Sequence, residues 1–278
     1  MKKLSFLLIF ALIFALSCTS TSAPASEEEP ADTAARAEVK EAEPKDDLWV
    51  LSVGINEYKD NYFPNLLFAV NDAKTISEAF KKQEGLVFGT VNTMLITDSD
   101  ELTPTKENIL AGLEFLQDAK PEDTVVLFFA LHRLIHQDGF YLMTSDSKYE
   151  SQEEDGTSTL INFQEIIDGL DFPAKKIIIL DTHFPKDSVN IDEDSHLAIF
   201  SACSENEQAR ESSLFGGGFF TASILEAFKL ASTGSNEMTL SDLFDYVSGR
   251  VAELTENKQN PVLNAHGEME ELVLGFRK

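Results

Sequence analysis

The chain has 278 residues and a formal net charge of −26, from 48 acidic against 22 basic side chains. Nucleic acid is excluded as a partner class, because no basic stripe exists to neutralise phosphates; the acidic balance instead suits basic peptides or proteins. The two cysteines, Cys18 and Cys203, exclude a disulfide framework, since the first directly follows an N-terminal leader as an expected acylation site and leaves the second alone.

Lys2 and Lys3 precede the apolar run Leu4 to Leu16, which ends at Ser17-Cys18. Residues 1–17 read as a secretory signal, too short for a stable membrane span. A cysteine directly after small residues is similar to a bacterial lipobox, although Leu16 stands one place later than that pattern prefers. The expectation is a lipidated Cys18 that anchors the protein in the bacterial cell envelope through buried methylenes, with cleavage and no acylation as the alternative. Residues 18–47, rich in Ser, Thr, Ala, Pro and acids and free of aromatic residues, read as a disordered acidic tether. Residues 48–278 are long enough for one domain with one sizeable core.

Within that domain short apolar runs alternate with helical patterns, which points to a largely parallel sheet covered by helices. Leu48 to Ile55 is the first strand. Ala69 to Gln83 follows as a helix, with Ala69, Ala73, Ile76, Ala79 and Phe80 on one face. Val91 to Ile96 is a second strand, and Thr103-Pro104-Thr105 opens a helix to about Leu116. Thr124 to Ala130 and Lys175 to Asp181 are the third and fourth strands. Between them come a hairpin near Gly139 to Met143, a polar loop from Ser145 to Thr159, and a helix from Asn162 to Leu170. His196 to Ala202 is the fifth strand. Thr221 to Leu230 and Leu240 to Leu254 are helices, and Leu272 to Gly275 is a last strand.

Two strand ends carry the chemistry. The third strand runs into Leu131-His132-Arg133, and about 50 residues later the fourth runs into Thr182-His183-Phe184. Other segments stand in order around them: Val53-Gly54-Ile55-Asn56-Glu57-Tyr58, Ala69-Val70-Asn71-Asp72-Ala73, and Ser201-Ala202-Cys203-Ser204 with Glu207, Ala209, Glu211 and Gly218-Phe219-Phe220-Thr221 after it. This order resembles the caspase and metacaspase superfamily of cysteine peptidases over nearly all of Leu48 to Gly275. The resemblance implies an α/β fold, a caspase-like three-layer αβα sandwich with a mostly parallel central sheet.

It also implies a dyad. His132 matches the family's histidine, while His183 occupies the position of the cysteine nucleophile. The family's Ser-Gly-His-Gly is here Ala130-Leu131-His132-Arg133, and its Asp-x-Cys-His-Ser-Gly is Asp181-Thr182-His183-Phe184-Pro185-Lys186. With the thiol and both glycines gone, side chains stand where a substrate backbone would approach the oxyanion amide, so the dyad is expected to be inactive. Thr182 cannot substitute, because on a strand its side chain points away from that of residue 183. Cys203 reads as a small buried hydrophobe.

In metacaspase-like members two aspartates line a pocket for substrate Arg or Lys, and Asp72 and Asp181 match both positions. The function implied is therefore a catalytically inactive, envelope-anchored relative of the peptidases that binds a basic peptide or protein partner. The alternative is an active cysteine-type endopeptidase cleaving after Arg or Lys, which needs Cys203 to reach His132. Two blander readings stand beside the pocket: Asp72 as the cap of a helix beginning near Ala73, and Asp181 as a structural strand-end carboxylate. No cofactor is implied. A divalent transition metal between His132 and His183 near Asp181 is a further alternative, and Asp146 to Asp155 offers oxygens for calcium without the spacing of a known loop. Gly216-Gly217-Gly218 reads as a flexible turn, and His136, His196 and His266 have no partner at recognisable spacing.

Overall fold

The computed structural model describes residues 45–136, 139–148, 157–185, 195–231 and 237–276. The leader, Cys18, the tether as far as residue 44, and residues 149–156 of the acidic stretch lie outside the described residues. The elements, in chain order, are β1 (Leu48–Gly54), α1 (Ala69–Lys81), β2 (Val91–Thr97), α2 (Lys106–Leu116), β3 (Thr124–Ala130), β4 (Arg133–His136), β5 (Gly139–Leu142), β6 (Ile161–Asn162), α3 (Phe163–Gly169), β7 (Lys175–His183), β8 (Leu197–Cys203), β9 (Glu211–Ser212), β10 (Gly217–Gly218), α4 (Phe219–Ala231), β11 (Glu237–Thr239), α5 (Leu240–Leu254), β12 (Val262–Asn264) and β13 (Val273–Phe276).

Six strands form the main sheet in the order β12-β8-β7-β3-β1-β2. All neighbours pair in parallel except the edge strand β12, which runs antiparallel to β8. The near-continuous apolar runs of β3, β7 and β8 are what a sheet covered on both faces requires. Successive side chains leave by opposite faces, so each strand feeds two cores. Val126 and Phe128 join Ile177, Ile179 and Phe200 under α1, α4 and α5. Val125, Leu127 and Phe129 join Ile178, Leu180 and Ile199 under α2 and α3. The result is the three-layer αβα sandwich.

Local chemistry sets the helix starts. Thr105 accepts a hydrogen bond from the Asn108 amide at the head of α2, and Asn162 with Glu165, and Thr239 with Asp242, make reciprocal capping boxes on α3 and α5.

Several expected boundaries shift. β7 continues two residues past Asp181 because its pairing with β8 is irregular between Leu180 and His183, which brings His183 opposite Cys203. The hairpin near Gly139 begins at once after His132, with Arg133 opposite Leu142. α4 starts at Phe219 rather than Thr221. The last strand, β13, lies outside the main sheet and pairs antiparallel with β11. His196 precedes β8 with a left-handed backbone (φ 48°) and bonds Glu268 at 2.5 Å, a partner too distant in sequence for spacing to reveal.

Candidate functional site

Because β1, β3 and β7 are parallel neighbours, their carboxyl ends open at one edge of the sheet, where ligands of such sheets bind. A cleft of about 380 Å³ lies there, lined among others by His132, Arg133, Asp72, Asp181, His183 and Glu211. The topology thus brings together all four site residues expected in the folded domain.

His132 is held from two sides. Its backbone amide donates to the Tyr58 hydroxyl at 2.8 Å, and its Nε2 donates to the Pro64 carbonyl at 2.7 Å. A carbonyl can only accept, so the imidazole proton sits on Nε2. Tyr58 stacks against the ring with centroids 5.0 Å apart. Burial lowers the imidazole's affinity for a proton, opposed by the Pro64 carbonyl and the field of Glu211. Burial also pushes the Tyr58 hydroxyl far above its ordinary range. Neither Pro64 nor Tyr58 was identifiable as a partner of His132, because their contacts span 68 and 74 residues.

His183 is bonded by Arg133 and not by His132. Arg133 Nε donates to His183 Nδ1 at 3.2 Å, which places the imidazole proton on Nε2, a buried atom with no partner. Among the described residues no group of three or more His, Cys, Asp or Glu side chains is arranged to hold a metal. The two-histidine metal reading therefore lacks a ligand set, and a cationic guanidinium stands against one of its imidazoles.

Asp72 and Asp181 are both on the cleft, and the expectation that Asp72 caps a helix beginning near Ala73 is corrected. α1 begins at Ala69 and its N-terminal residue Phe68 receives no side-chain cap, so Asp72 does not cap it. In the first turn the Asn56 side-chain oxygen accepts the Val70 amide at 3.1 Å, and just before the helix the Glu211 carboxylate accepts the amides of Leu67 and Phe68 at 3.3 and 3.2 Å, across more than 140 residues of sequence. Asp72 Oδ2 accepts the Gly218 amide at 3.0 Å, and Asp181 Oδ2 accepts the Thr221 hydroxyl at 2.6 Å.

The triple glycine is correspondingly not a free turn. Gly217 and Gly218 form β10, buried and paired with β9, and their backbone packs onto the two carboxylates. A Cβ on Gly217 would lie 2.3 Å from Asp72 Oδ1, and one on Gly218 2.4 Å from Asp181 Oδ2. Glycine is needed there for close approach.

The carboxyl pair is electrostatically unbalanced. Burial raises Asp72 to about 8, with the Asp181 and Glu211 charges adding and the Gly218 amide opposing. Asp181 rises to about 6, again first by burial, then by Glu211, against the Thr221 hydroxyl. Among the described residues, no Lys, Arg or His lies within ion-pair distance of Asp72, Asp181 or Glu211.

Cys203 is fully buried, and burial with the fields of Glu207 and Asp181 pushes its thiol up to about 12. It stands opposite His183 in the sheet yet hydrogen-bonds to neither histidine.

Residues 48–272 match the caspase domain family. No curated protein matches the chain. Among solved structures, a protein from Geobacter sulfurreducens superposes with a TM-score of 0.60 at 12% identity, over 84% of this chain and 100% of that one. The Drosophila initiator caspase Dronc gives 0.57 at 11%, over 84% of this chain and 85% of its own. At such identities the likeness is one of fold.

Proposed function

The chain belongs to the caspase domain family, and on that premise we propose that it is a peptide-binding relative of the peptidases, one that holds a basic side chain without cutting the peptide beside it. The observation that carries this reading is the pair Asp72 and Asp181. Holding buried Asp72 beside partly buried Asp181 without a cation costs stability, and a cleft that keeps them, with Glu211 adjoining, is matched to a ligand that brings the cation.

Three features support the loss of cutting. The nucleophile position carries an imidazole, whose Nδ1 lone pair is taken by Arg133 and whose Nε2 bears the proton, so no lone pair is free to attack a carbonyl. Leu131 and Arg133 stand where the family's glycines admit the substrate backbone. Cys203 is buried and strongly disfavours its thiolate, which weighs against the alternative of an active cysteine peptidase.

The same reading extends to location. Lys2-Lys3, the apolar run Leu4 to Leu16 and Cys18 support a lipid-anchored protein of the bacterial envelope, with residues 18–47 as tether between membrane and domain. Calorimetric titration of an Arg-containing peptide into the full chain, with and without Asp181→Asn, tests the pocket. Equal affinity of both proteins would remove it.

A further inference from the structure

The cleft is acidic on one side and cationic on the other. Asp72, Asp181 and Glu211 form the acidic side, and Arg133 lines the same cleft beside His183. Half-buried Arg133 has no ion-pair partner among the described residues; Glu205 and the Cys203 thiol exert fields on it but make no bond. With Nε committed to His183, its two terminal nitrogens remain as a fork of donors. The His183 Nε2 proton next to it also lacks an acceptor. Exposed Arg210 adds a second positive charge to the rim.

A guanidinium fork is the side chain best matched to a carboxylate, which it binds with two parallel hydrogen bonds; it has no comparable preference for an amide carbonyl. Arg133 and the two aspartates line one cleft, so a residue whose side chain reaches the carboxyls can present its terminal carboxylate to the guanidinium.

We propose that the cleft is a receptor for peptides ending in Arg or Lys with a free α-carboxylate, the basic side chain entering beside Asp72 and Asp181 and the terminal carboxylate lying on Arg133. The inference rests on the basic-side-chain reading above and adds the requirement for a chain terminus. Such termini are the products of proteases that cut after basic residues, so the substitutions that remove cutting convert a substrate site into a product site. The cleft volume of about 380 Å³ suits one residue and its terminal group.

The test uses the full chain and three peptides of one sequence: ending in Arg with a free carboxylate, ending in Arg amide, and ending in Gln with a free carboxylate. The acid is expected to bind the wild-type protein about tenfold or more tightly than the amide, and more tightly than the Gln peptide. Arg133→Gln should bring the acid down to the level of the amide measured on the same variant. Equal affinity of Arg acid and Arg amide for the wild-type protein overturns the terminus requirement and leaves the basic pocket standing. If neither Arg peptide outbinds the Gln peptide, the pocket reading falls and this inference falls with it. The wild-type comparison decides the matter even if the Arg133 variant fails to fold.

Discussion

Arg133 donates its Nε proton to Nδ1 of His183 across 3.2 Å, so the two residues that depart furthest from the peptidase pattern are bonded to each other. On the proposed reading, the imidazole at the nucleophile position and the arginine after His132 act as one bonded pair. Restoring a single member should not restore the chemistry. A thiol introduced by His183→Cys would sit beside Arg133 and be stabilised as a thiolate, reacting with iodoacetamide below the ordinary cysteine range. Leu131 and Arg133 would still obstruct the substrate backbone. The expected outcome is fast alkylation with no hydrolysis of a fluorogenic Arg amide; hydrolysis by this single variant would show that the flanking side chains do not matter.

Replacing either pocket carboxylate should move binding and stability in opposite directions. Asp181→Asn keeps an acceptor for the Thr221 hydroxyl, and Asp72→Asn keeps one for the Gly218 amide. Each variant should lose about 2 kcal/mol of affinity for a basic peptide, the worth of a charged hydrogen bond. In the free protein at pH 8 each should unfold at a higher temperature than the parent, because a desolvated negative charge without a counter-ion has been removed. A drop in thermal midpoint for both variants would mark the pair as structural.

The pH dependence follows from the same pair. Asp72 and Asp181 titrate near 8 and 6 in the fold, above the value of about 3.9 for a free aspartate. Between roughly pH 4 and 8 these two sites therefore hold more protons in the fold than in the unfolded chain, and the stability they contribute falls as pH rises across that window. Affinity for a basic side chain should rise over the upper part of it, as the carboxyls become charged. Urea titrations at pH 5 and pH 8 check the first part, and calorimetry at pH 6 and pH 8 checks the second. Affinity that is flat with pH would contradict the assignment of these groups as the ligand's partners.

Gly218→Ala probes the floor of the cleft. The added methyl would lie 2.4 Å from Asp181 Oδ2, so β10 or the carboxylate must shift. Overpacking of this kind costs about 1–3 kcal/mol. Denaturant unfolding should show that loss, whereas Gly249→Ala, in open space on α5, should not.

What the sequence revealed depended on how local the physics was. β3, β7 and β8 are legible because a strand buried on both faces must be continuously apolar, and the spacing from His132 to His183 then follows from two strands ending at one edge. Asp72 and Asp181 were singled out by the family resemblance, at positions that local pattern alone would read as a helix cap and a strand end. The partners were not. Glu211 on the amides of Leu67 and Phe68, Pro64 on His132 and Gly218 on Asp72 join segments 68 to 146 residues apart, and such pairings leave no period or spacing. The short strands β9, β10, β11 and β12 escaped for a related reason: two or three residues carry too little alternation to read, and their existence depends on what lies beside them.

The central claim is that the cleft holds a basic residue and leaves the peptide intact. It is tested most directly by incubating the full chain with an Arg-containing peptide, measuring binding by calorimetry and following the same mixture by mass spectrometry. The account predicts saturable binding, weakened by Asp181→Asn, with the peptide mass unchanged. Cleavage after the Arg, abolished by Cys203→Ala or His132→Ala, would contradict it.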